Sequence, residues 1–312
     1  MRVTVLAGGV GGARFVRGVR AAMPDADVTV VVNTGDDLWL TGVRLQPDLD
    51  SILYALAGVN DTERGWGRAD ETERVSAELR EWGAGWPWFT LGDLDLGTHL
   101  ARTGWLREGL TPTQIAERLA ARWPIGVRLL PMTDAEVDTQ VVLADGRRLH
   151  FQEWWTRHRA RLRAVAFENP GIEFAAPAPG VVAAITGADV VALAPSNPVV
   201  SIGPILAVPG VRTALAEAPR VVGVSPIIGG KVVRGMADAC LTAIGVPTAA
   251  DAVARHYGRR AAGGVLDTWF LALEDADLAP ALVDEGWDVR VAPLWMNDLE
   301  ASAELARTVL TV

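Results

Sequence analysis

The chain begins with a strand-like segment that leads directly into a glycine-rich turn and then a helix. Residues 1–7 (MRVTVLA) form a short buried-strand pattern, and residues 8–15 read GGVGGARF. Glycines let the backbone turn tightly and let a phosphate approach main-chain N–H groups, while the positive end of the following helix favours the anion. This order predicts an α/β fold with room for a phosphate-bearing ligand, although a tight strand-to-helix packing turn explains the loop nearly as well.

The loop departs from the common nucleotide-binding fingerprints. G-x-G-x-x-G counted from Gly9 and Gly11 ends on Arg14, and the second strand is followed by Asn33 instead of an acid that would bind a ribose. No Gly-Lys-Ser/Thr follows, so the loop is not a Walker loop either. An NAD-dependent oxidoreductase is therefore disfavoured.

Acidic residues cluster after the second strand. The segment from 31 to 51 reads VVNTGDDLWLTGVRLQPDLDS and contains four carboxylates, those of Asp36, Asp37, Asp48 and Asp50. In an open α/β sheet, ligands bind outside the carboxyl ends of strands, so these acids are placed to hold a divalent cation or an attacking hydroxyl. The alternative is that they cap a turn and the next helix.

Two later strand-like runs also end in loops of small polar residues. Residues 190–194 lead into Ser196 and Asn197, and residues 221–224 lead into Ser225, Gly229 and Gly230. Such residues can donate hydrogen bonds to phosphate and base. Rigid proline turns explain the neighbouring prolines but not the clustering of three such loops at strand ends.

Composition limits the class of protein. The net charge of -9 argues against a nucleic-acid partner, and no run approaches the roughly 18 to 20 apolar residues of a membrane span. The single cysteine, Cys240, excludes an internal disulfide framework and fits a reducing cytoplasm. We expect a cytoplasmic protein without membrane or nucleic-acid partners.

The pattern along the chain predicts an α/β fold: a Rossmann-like nucleotide-binding body with a mainly parallel sheet and a mainly helical insert. The body comprises residues 1–60 and 176–312, and the insert comprises residues 61–175. Within the insert, helices are predicted at 72–82, 95–107 and 111–123, with a short β pair around Asp145 and Gly146.

Several motifs in order resemble the 2-phospho-L-lactate transferase family of coenzyme F-420 synthesis, and the actinobacterial branch, the phosphoenolpyruvyl transferases, is most similar. The resemblance spans residues 1 to about 300. It is carried by GGVGGARF, VVNTGDDLW, PDLDS, LGDLDLGTH, LLPMTD, HFQEWW, APSNPVVSIGPIL and SPIIGGK.

The resemblance implies an Mg²⁺-dependent transfer of a phosphorylated three-carbon acid from a guanosine diphosphate-linked donor to the ribityl hydroxyl of the deazaflavin Fo, with release of GMP. The donor is guanylylated phospholactate or phosphoenolpyruvate. Family members look like homodimers, and the helical insert is expected to contribute to the deazaflavin site.

With the resemblance, the candidate residues acquire roles. Asp48 and Asp36 are the candidate catalytic residues, and Asp36, Asp37 and Asp48 are candidates for the metal, of which at most two should touch it. Asp48 and Asp50 are expected near the attacking hydroxyl. The candidate substrate-binding residues besides these are Gly9, Gly11, Gly12, Asn33, Asp93, Ser196, Asn197, Ser225, Gly229 and Gly230.

Two features leave alternatives open. Asp95 and His99, four apart, would share one helical face, and a buried structural pair explains them about as well as a catalytic role. Many family members have basic groups where this chain has Leu94 and Thr90, which leaves the donor undecided. A non-catalytic nucleotide-sugar-binding regulator of the same superfamily is the alternative function, against which HFQEWW and PDLDS argue.

Overall fold

The secondary structure alternates between strands and helices along most of the chain. The computed structural model describes residues 1–311. The strands are β1 (Arg2–Ala7), β2 (Asp27–Val32), β3 (Leu38–Leu40), β4 (Val43–Leu45), β5 (Arg128–Pro131), β6 (Gln140–Leu143), β7 (Arg148–His150), β8 (Ala164–Glu168), β9 (Val190–Leu193), β10 (Val221–Val224), β11 (Ile227–Ile228), β12 (Lys231–Val232), β13 (Thr268–Ala272) and β14 (Asp288–Ala292). The α-helices are α1 (Gly9–Ala22), α2 (Pro47–Ala57), α3 (Arg74–Glu81), α4 (Asp93–Arg107), α5 (Pro112–Ala120), α6 (Val181–Gly187), α7 (Gly203–Ala207), α8 (Val211–Glu217), α9 (Ala237–Ala243), α10 (Ala250–Tyr257), α11 (Ala279–Asp284) and α12 (Leu299–Leu310).

The main sheet reverses its strand order between β1 and β9. In the described chain it has seven strands in the order β14-β13-β10-β9-β1-β2-β5, and every neighbouring pair is parallel. From β1 the chain proceeds outward through β2 and β5, whereas β9 starts the other half of the sheet. A crevice at such a switch point, outside the carboxyl ends of the strands, is where open α/β sheets bind ligands.

Both faces of the inner strands of the main sheet are buried, which is why these strands read as continuous apolar runs. In β1, Val3, Val5 and Ala7 face the layer that contains α1 and α12, whereas Leu6 faces the layer that contains α6 and α8. Successive side chains of a strand point to opposite faces. An α/β fold built on a parallel sheet is therefore confirmed.

The region predicted as an insert contains a strand of the main sheet. β5 pairs with β2 from Thr29 to Val32, so residues 61–175 do not form one continuous insert. The sequence did not mark β5 because four residues that end on Pro131 give no clear periodicity. Before β5 the region is helical, with α3, α4 and α5. After it, a small antiparallel sheet has the order β7-β6-β8.

Local signals set the limits of the elements predicted in this region. Thr111 caps α5 in a capping box with Gln114, and Pro112 occupies its first turn. The predicted β pair is present as β6 and β7, which β8 extends. Among residues 1–311, no single helix is long and apolar enough to cross a membrane, and one pair bent by 85°, Pro198–Ala207 with Val211–Glu217, meets the length and composition criteria only when taken together.

Candidate active site

A cavity of about 480 Å³ opens at the carboxyl ends of β1, β2, β9 and β10. Its floor is formed by the glycine loop and by the loop after β9, and the acids after β2 and at the start of α2 form one wall. Eight of the residues predicted from sequence line this cavity: Gly8, Gly9, Gly11, Asp36, Asp48, Ser196, Asn197 and Ser225. The switch point of the sheet is thus also the place where the sequence motifs meet.

The glycine loop is fixed by one serine and one aspartate. The Gly8 N–H donates to Ser196 Oγ (3.0 Å), and the Ser196 hydroxyl donates back to the Gly8 carbonyl (2.7 Å). The Gly9 N–H donates to Asp48 Oδ1 (2.6 Å). A Cβ at position 8 would lie 2.2 Å from Asp48 Oδ2, so the close approach of loop and acid requires glycine there.

Gly11 and Gly12 have different surroundings. Gly11 lines the cavity, whereas Gly12 is buried, and a Cβ on Gly12 would lie 2.8 Å from Ser196 Oγ. The absence of a side chain at Gly12 therefore serves packing. The helix α1 has no side-chain cap and no acid in its first turn. Its remaining N-terminal N–H groups can therefore donate hydrogen bonds to an anion in the cavity.

Asn33 joins the two acids that face the cavity. Its Nδ2 donates to Asp48 Oδ2 (2.9 Å), to Asp36 Oδ1 (3.1 Å) and to the Val200 carbonyl (3.2 Å). Asn33 lies at the end of β2, where a dinucleotide-binding fold places an acid. A neutral amide at this position holds two carboxylates together without adding a third negative charge.

The carboxylates of Asp36 and Asp48 are buried and have no basic partner within 4 Å in the described chain. Burial raises the pKa of Asp36 well above its usual range, and repulsion from Asp48 and Asp37 raises this pKa further. Burial raises the pKa of Asp48 to about 6, although hydrogen bonds from Asn33 and Gly9 oppose the shift. Two such carboxylates, held together and open to a cavity, are an arrangement that a divalent cation would stabilise.

Asp37 lies on the opposite side of the same loop. Its Oδ2 accepts a hydrogen bond from Gln46 Nε2 (2.8 Å) and lies 3.6 Å from Arg44 Nη2. Burial raises the pKa of Asp37 well above its usual range, and Arg44 opposes this effect. Asp37 lines a separate cavity of about 70 Å³, so the structure does not bring it together with Asp36 and Asp48.

Asp50 belongs to a second cluster, behind the cavity wall. It forms an ion pair with Arg102, and His99 Nδ1 lies 3.6 Å from its Oδ2. Asp95 completes the group: it lies 3.3 Å from His99 and accepts a hydrogen bond from the Tyr54 hydroxyl (2.8 Å). Ligand atoms of Asp50, Asp95 and His99 lie within 4.8 Å of one another, as a metal site requires, but the Arg102 guanidinium already supplies the positive charge.

The pKa of Asp95 agrees with this difference. Burial alone would raise the pKa of Asp95, but His99 and Tyr54 lower it below its usual value. Burial raises the pKa of Asp50 in spite of Arg102 and His99. Charges within this second cluster are compensated locally, in contrast to those of Asp36 and Asp48.

Other predicted residues have structural partners. Ser225 lines the cavity, and its hydroxyl donates to the Ile227 carbonyl (2.8 Å). Asn197 also lines it and accepts hydrogen bonds from the N–H groups of Val199 and Val200.

Three further predicted residues lie outside the cavity. Gly229 and Gly230 are exposed and donate their N–H groups to the buried carboxylate of Asp275. Asp93 accepts two hydrogen bonds from Thr72, which hold its pKa below the usual value. Asp93 thereby ties the start of α4 to the segment just before α3.

The cavity also contains residues outside the set of predicted site residues. Gln152 Nε2 donates to Asp36 Oδ2 (3.3 Å), and Phe151 and Trp155 form an aromatic side of the cavity with ring centres 5.9 Å apart. All three belong to the HFQEWW motif, which was the available signal. Arg14 and Ser201 line the cavity as well.

The family model and the most similar known sequences indicate the same family. Residues 3–292 match the family described as "2-phospho-L-lactate transferase CofD". A phosphoenolpyruvate transferase of Streptomyces coelicolor is 52% identical over 316 residues, covering 100% of this chain and 98% of the relative. The relative of the same name in Thermobifida fusca is 52% identical over 317 residues, with 98% and 96% covered, and that in Mycobacterium avium is 49% identical over 331 residues, with 98% and 96% covered.

Comparison with solved structures supports the fold. A member of the UPF0052 family from Bacillus halodurans superimposes with a TM-score of 0.68 over 99% of this chain and 98% of the other. At 15% sequence identity this similarity concerns the fold alone.

Proposed function

Because this chain belongs to the 2-phospho-L-lactate transferase CofD family, we propose that it transfers a phosphoenolpyruvyl or 2-phospho-L-lactyl group from a guanosine diphosphate-linked donor to the ribityl hydroxyl of the deazaflavin Fo. GMP is the second product, and the reaction belongs to coenzyme F-420 synthesis. The observation that supports this most is the pair of uncompensated carboxylates, Asp36 and Asp48, beside the glycine loop. The relatives named phosphoenolpyruvate transferase favour the phosphoenolpyruvyl donor.

The residues of the cavity fit a magnesium ion. Asp36 and Asp48 offer carboxylate oxygens at one place, and Mg²⁺ is commonly bound by one or two carboxylates together with substrate phosphate and water. We assign the metal to these two acids and leave Asp37, which faces Arg44, outside the ligand set. Bound there, the ion would neutralise charge on the transferred phosphoryl group.

The glycine loop and α1 bind the donor diphosphate in this proposal. The N–H groups at the start of α1 and the positive end of the helix dipole face the cavity, so they favour a phosphate. Ser196, Asn197 and Ser225 line the same region and accommodate the guanosine part. Phosphoryl transfer depends on such positioning more than on covalent chemistry by the protein.

Asp48 orients the acceptor hydroxyl. Its carboxylate is fixed by Gly9 and Asn33, so its free lone pairs point in a defined direction. The ribityl oxygen attacks the phosphorus atom that carries the three-carbon acid, its proton passes to Asp48, and the bond to the GMP oxygen breaks.

The deazaflavin ring is placed against the aromatic side of the cavity. Trp155 and Phe151 present flat apolar surfaces there, and Trp66 and Trp295 also line the cavity. This placement gives residues 151–155 a role in the acceptor site, as expected of the insert. A homodimer and a cytoplasmic location remain part of the proposal, and light scattering in solution tests the former.

Mass spectrometry of the products tests the reaction. The protein is incubated with Mg²⁺, Fo and an equimolar mixture of the two guanylylated donors. We expect GMP and a phosphodiester-linked deazaflavin that carries mainly phosphoenolpyruvate. Predominant transfer of phospholactate would refute the donor preference, and binding of UDP-sugars without any transfer to Fo would refute the enzymatic function.

A further inference from the structure

Next to the main cavity lies a smaller one of about 260 Å³ that three arginines surround. Arg14 and Arg17 come from α1, and Arg234 comes from the loop after β12. Arg14 and Arg234 line both cavities, so the two cavities are adjacent. In a chain with a net charge of -9, a cavity bordered by three guanidinium groups calls for an anionic ligand.

These arginines have no acidic partner. Among residues 1–311, no carboxylate lies within 4 Å of any of the three guanidinium groups, whereas the nearby Arg64 forms ion pairs with Asp61 and Glu71. Asp298 also lines the smaller cavity, but its carboxylate accepts the Ala301 N–H as the cap of α12. Burial lowers the pKa of Arg14, and repulsion from Arg234 and Arg17 lowers it further, which agrees with uncompensated positive charge.

Backbone contacts position two of the guanidinium groups. Arg234 Nη2 donates to the Arg64 carbonyl (3.2 Å), and Arg14 Nη1 approaches the Met296 carbonyl (3.4 Å). Arg234 lies directly on Gly65, because a Cβ on that residue would be 1.9 Å from Nη2. These contacts use one N–H of each group, and a guanidinium has five N–H donors in total.

The arginines of α1 lie within reach of the glycine loop. Position 17 is two turns along the helix from position 10, about 10 Å at 1.5 Å per residue. Side chains on a helix tilt toward its N-terminus, so Arg14 and Arg17 extend back toward the main cavity. An anionic group attached to a phosphate at the loop can therefore contact them.

We propose that Arg14, Arg17 and Arg234 form a subsite for the carboxylate of the three-carbon acid that the donor carries. This inference rests on the proposed function, and it assigns the transferred group to the smaller cavity. The donor has one negative group besides its diphosphate, and the glycine loop with Asp36 and Asp48 already accounts for the diphosphate. Arginine matches a planar carboxylate with two parallel hydrogen bonds, which provides orientation as well as charge.

Binding measurements without Fo test the subsite independently of turnover. Calorimetry compares guanylylated phosphoenolpyruvate with GDP, which lacks the three-carbon acid, on the wild type and on Arg17→Gln. We expect Arg17→Gln to weaken donor binding about tenfold, as the loss of one charge-assisted hydrogen bond does, and to leave GDP binding unchanged. Arg17→Lys should restore part of the affinity, since it keeps the charge.

Arg20→Gln is the matched control. Arg20 lies on the same helix, bonds the Pro24 carbonyl and lines neither cavity. It should bind donor and GDP as the wild type does, and thermal unfolding verifies that each variant folds. Equal weakening of donor and GDP by Arg17→Gln would overturn the carboxylate assignment, and so would an unchanged affinity for both.

The same experiment separates this inference from the proposed function. If the wild type transfers the group to Fo while Arg17→Gln binds donor normally, the subsite is wrong and the function stands. If donor binding depends on Arg17 but no transfer to Fo occurs, the function is wrong and the subsite stands.

Discussion

Asp48 and Asp50 are two residues apart in the first turn of α2, yet they belong to different environments. Asp48 faces the main cavity beside Asp36, without a cationic partner. Asp50 faces the interior, where Arg102 and His99 surround it. Two positions on an α-helix differ by roughly 200°, so neighbouring acids of one motif point to opposite sides. Asp50, whose charge is compensated by Arg102, therefore contributes to the stability of the fold, whereas Asp48, which has no such partner, is available to a ligand in the cavity.

The largest effect is expected from Asp48→Asn. The variant loses the proton acceptor and a candidate metal ligand, so turnover should fall by about 10²–10⁴-fold. Its stability should change little, because removal of one charge relieves the repulsion between Asp36 and Asp48. Steady-state kinetics and denaturant unfolding measure both. Near-normal turnover would show that Asp48 does not carry the chemistry.

Asp50→Asn is the matched partner of Asp48→Asn and should lose stability while it keeps most of its turnover. It removes the ion-pair partner of the Arg102 guanidinium, which is 1% exposed. Breaking a buried pair in this way costs about 3–5 kcal/mol of unfolding free energy. Denaturant unfolding measures this loss, and an unchanged midpoint would mean that the second cluster contributes nothing to stability.

Binding of Mg²⁺ distinguishes the environments of Asp48 and Asp50 by a stability effect of intermediate size. Mg²⁺ that binds only the folded protein should stabilise the wild type by about 2.7 kcal/mol at a concentration 100 times its dissociation constant. The stabilisation should persist in Asp50→Asn and be absent in Asp48→Asn. Thermal unfolding with Mg²⁺ and with a chelator measures it. The opposite result would move the metal to the cluster of Asp50, Asp95 and His99.

The smallest effect is expected from Asp93→Asn, since this carboxylate is outside both clusters. Its hydrogen bonds from Thr72 hold its pKa below the usual value. Their contribution to stability is therefore fully present above the ordinary carboxyl pKa and is lost as the pH falls through the lowered value. Melting temperatures across this range should show a small difference from the wild type that disappears at acidic pH. A large loss of activity would instead place Asp93 at the substrate.

The fold was predictable where apolar runs end at clear turn signals. β1, β2 and β10 are followed directly by Gly8, Asn33 and Ser225, and Pro195 lies two residues after the end of β9. These residues favour turns and stop a strand. β5 and β13 lack such limits or periodicity, and a short buried run cannot be distinguished from part of a helix by its pattern alone. The sequence therefore placed β5 in the insert.

The site was predictable in its residue types more than in its geometry. The acids after β2 were recognised, but their division between two environments depends on Arg44 and Arg102, and nothing in the local pattern reveals those contacts. The roles of Gly229 and Gly230 were predicted from a loop that resembles a phosphate loop, whereas their N–H groups bind Asp275, 45 or more residues away. Such long-range pairing is decided by tertiary structure.

The contact between Gly8 and Asp48 has a consequence for the descent of this family. Any side chain at position 8 would collide with the Asp48 carboxylate, since even a Cβ would lie 2.2 Å from Oδ2. Position 8 therefore depends on position 48, but not the reverse: a lineage that acquires alanine at position 8 must first acquire a shorter residue, and hence a different chemistry, at position 48. We expect aligned relatives that carry a side chain at position 8 to lack aspartate at position 48, and such members to have left this reaction.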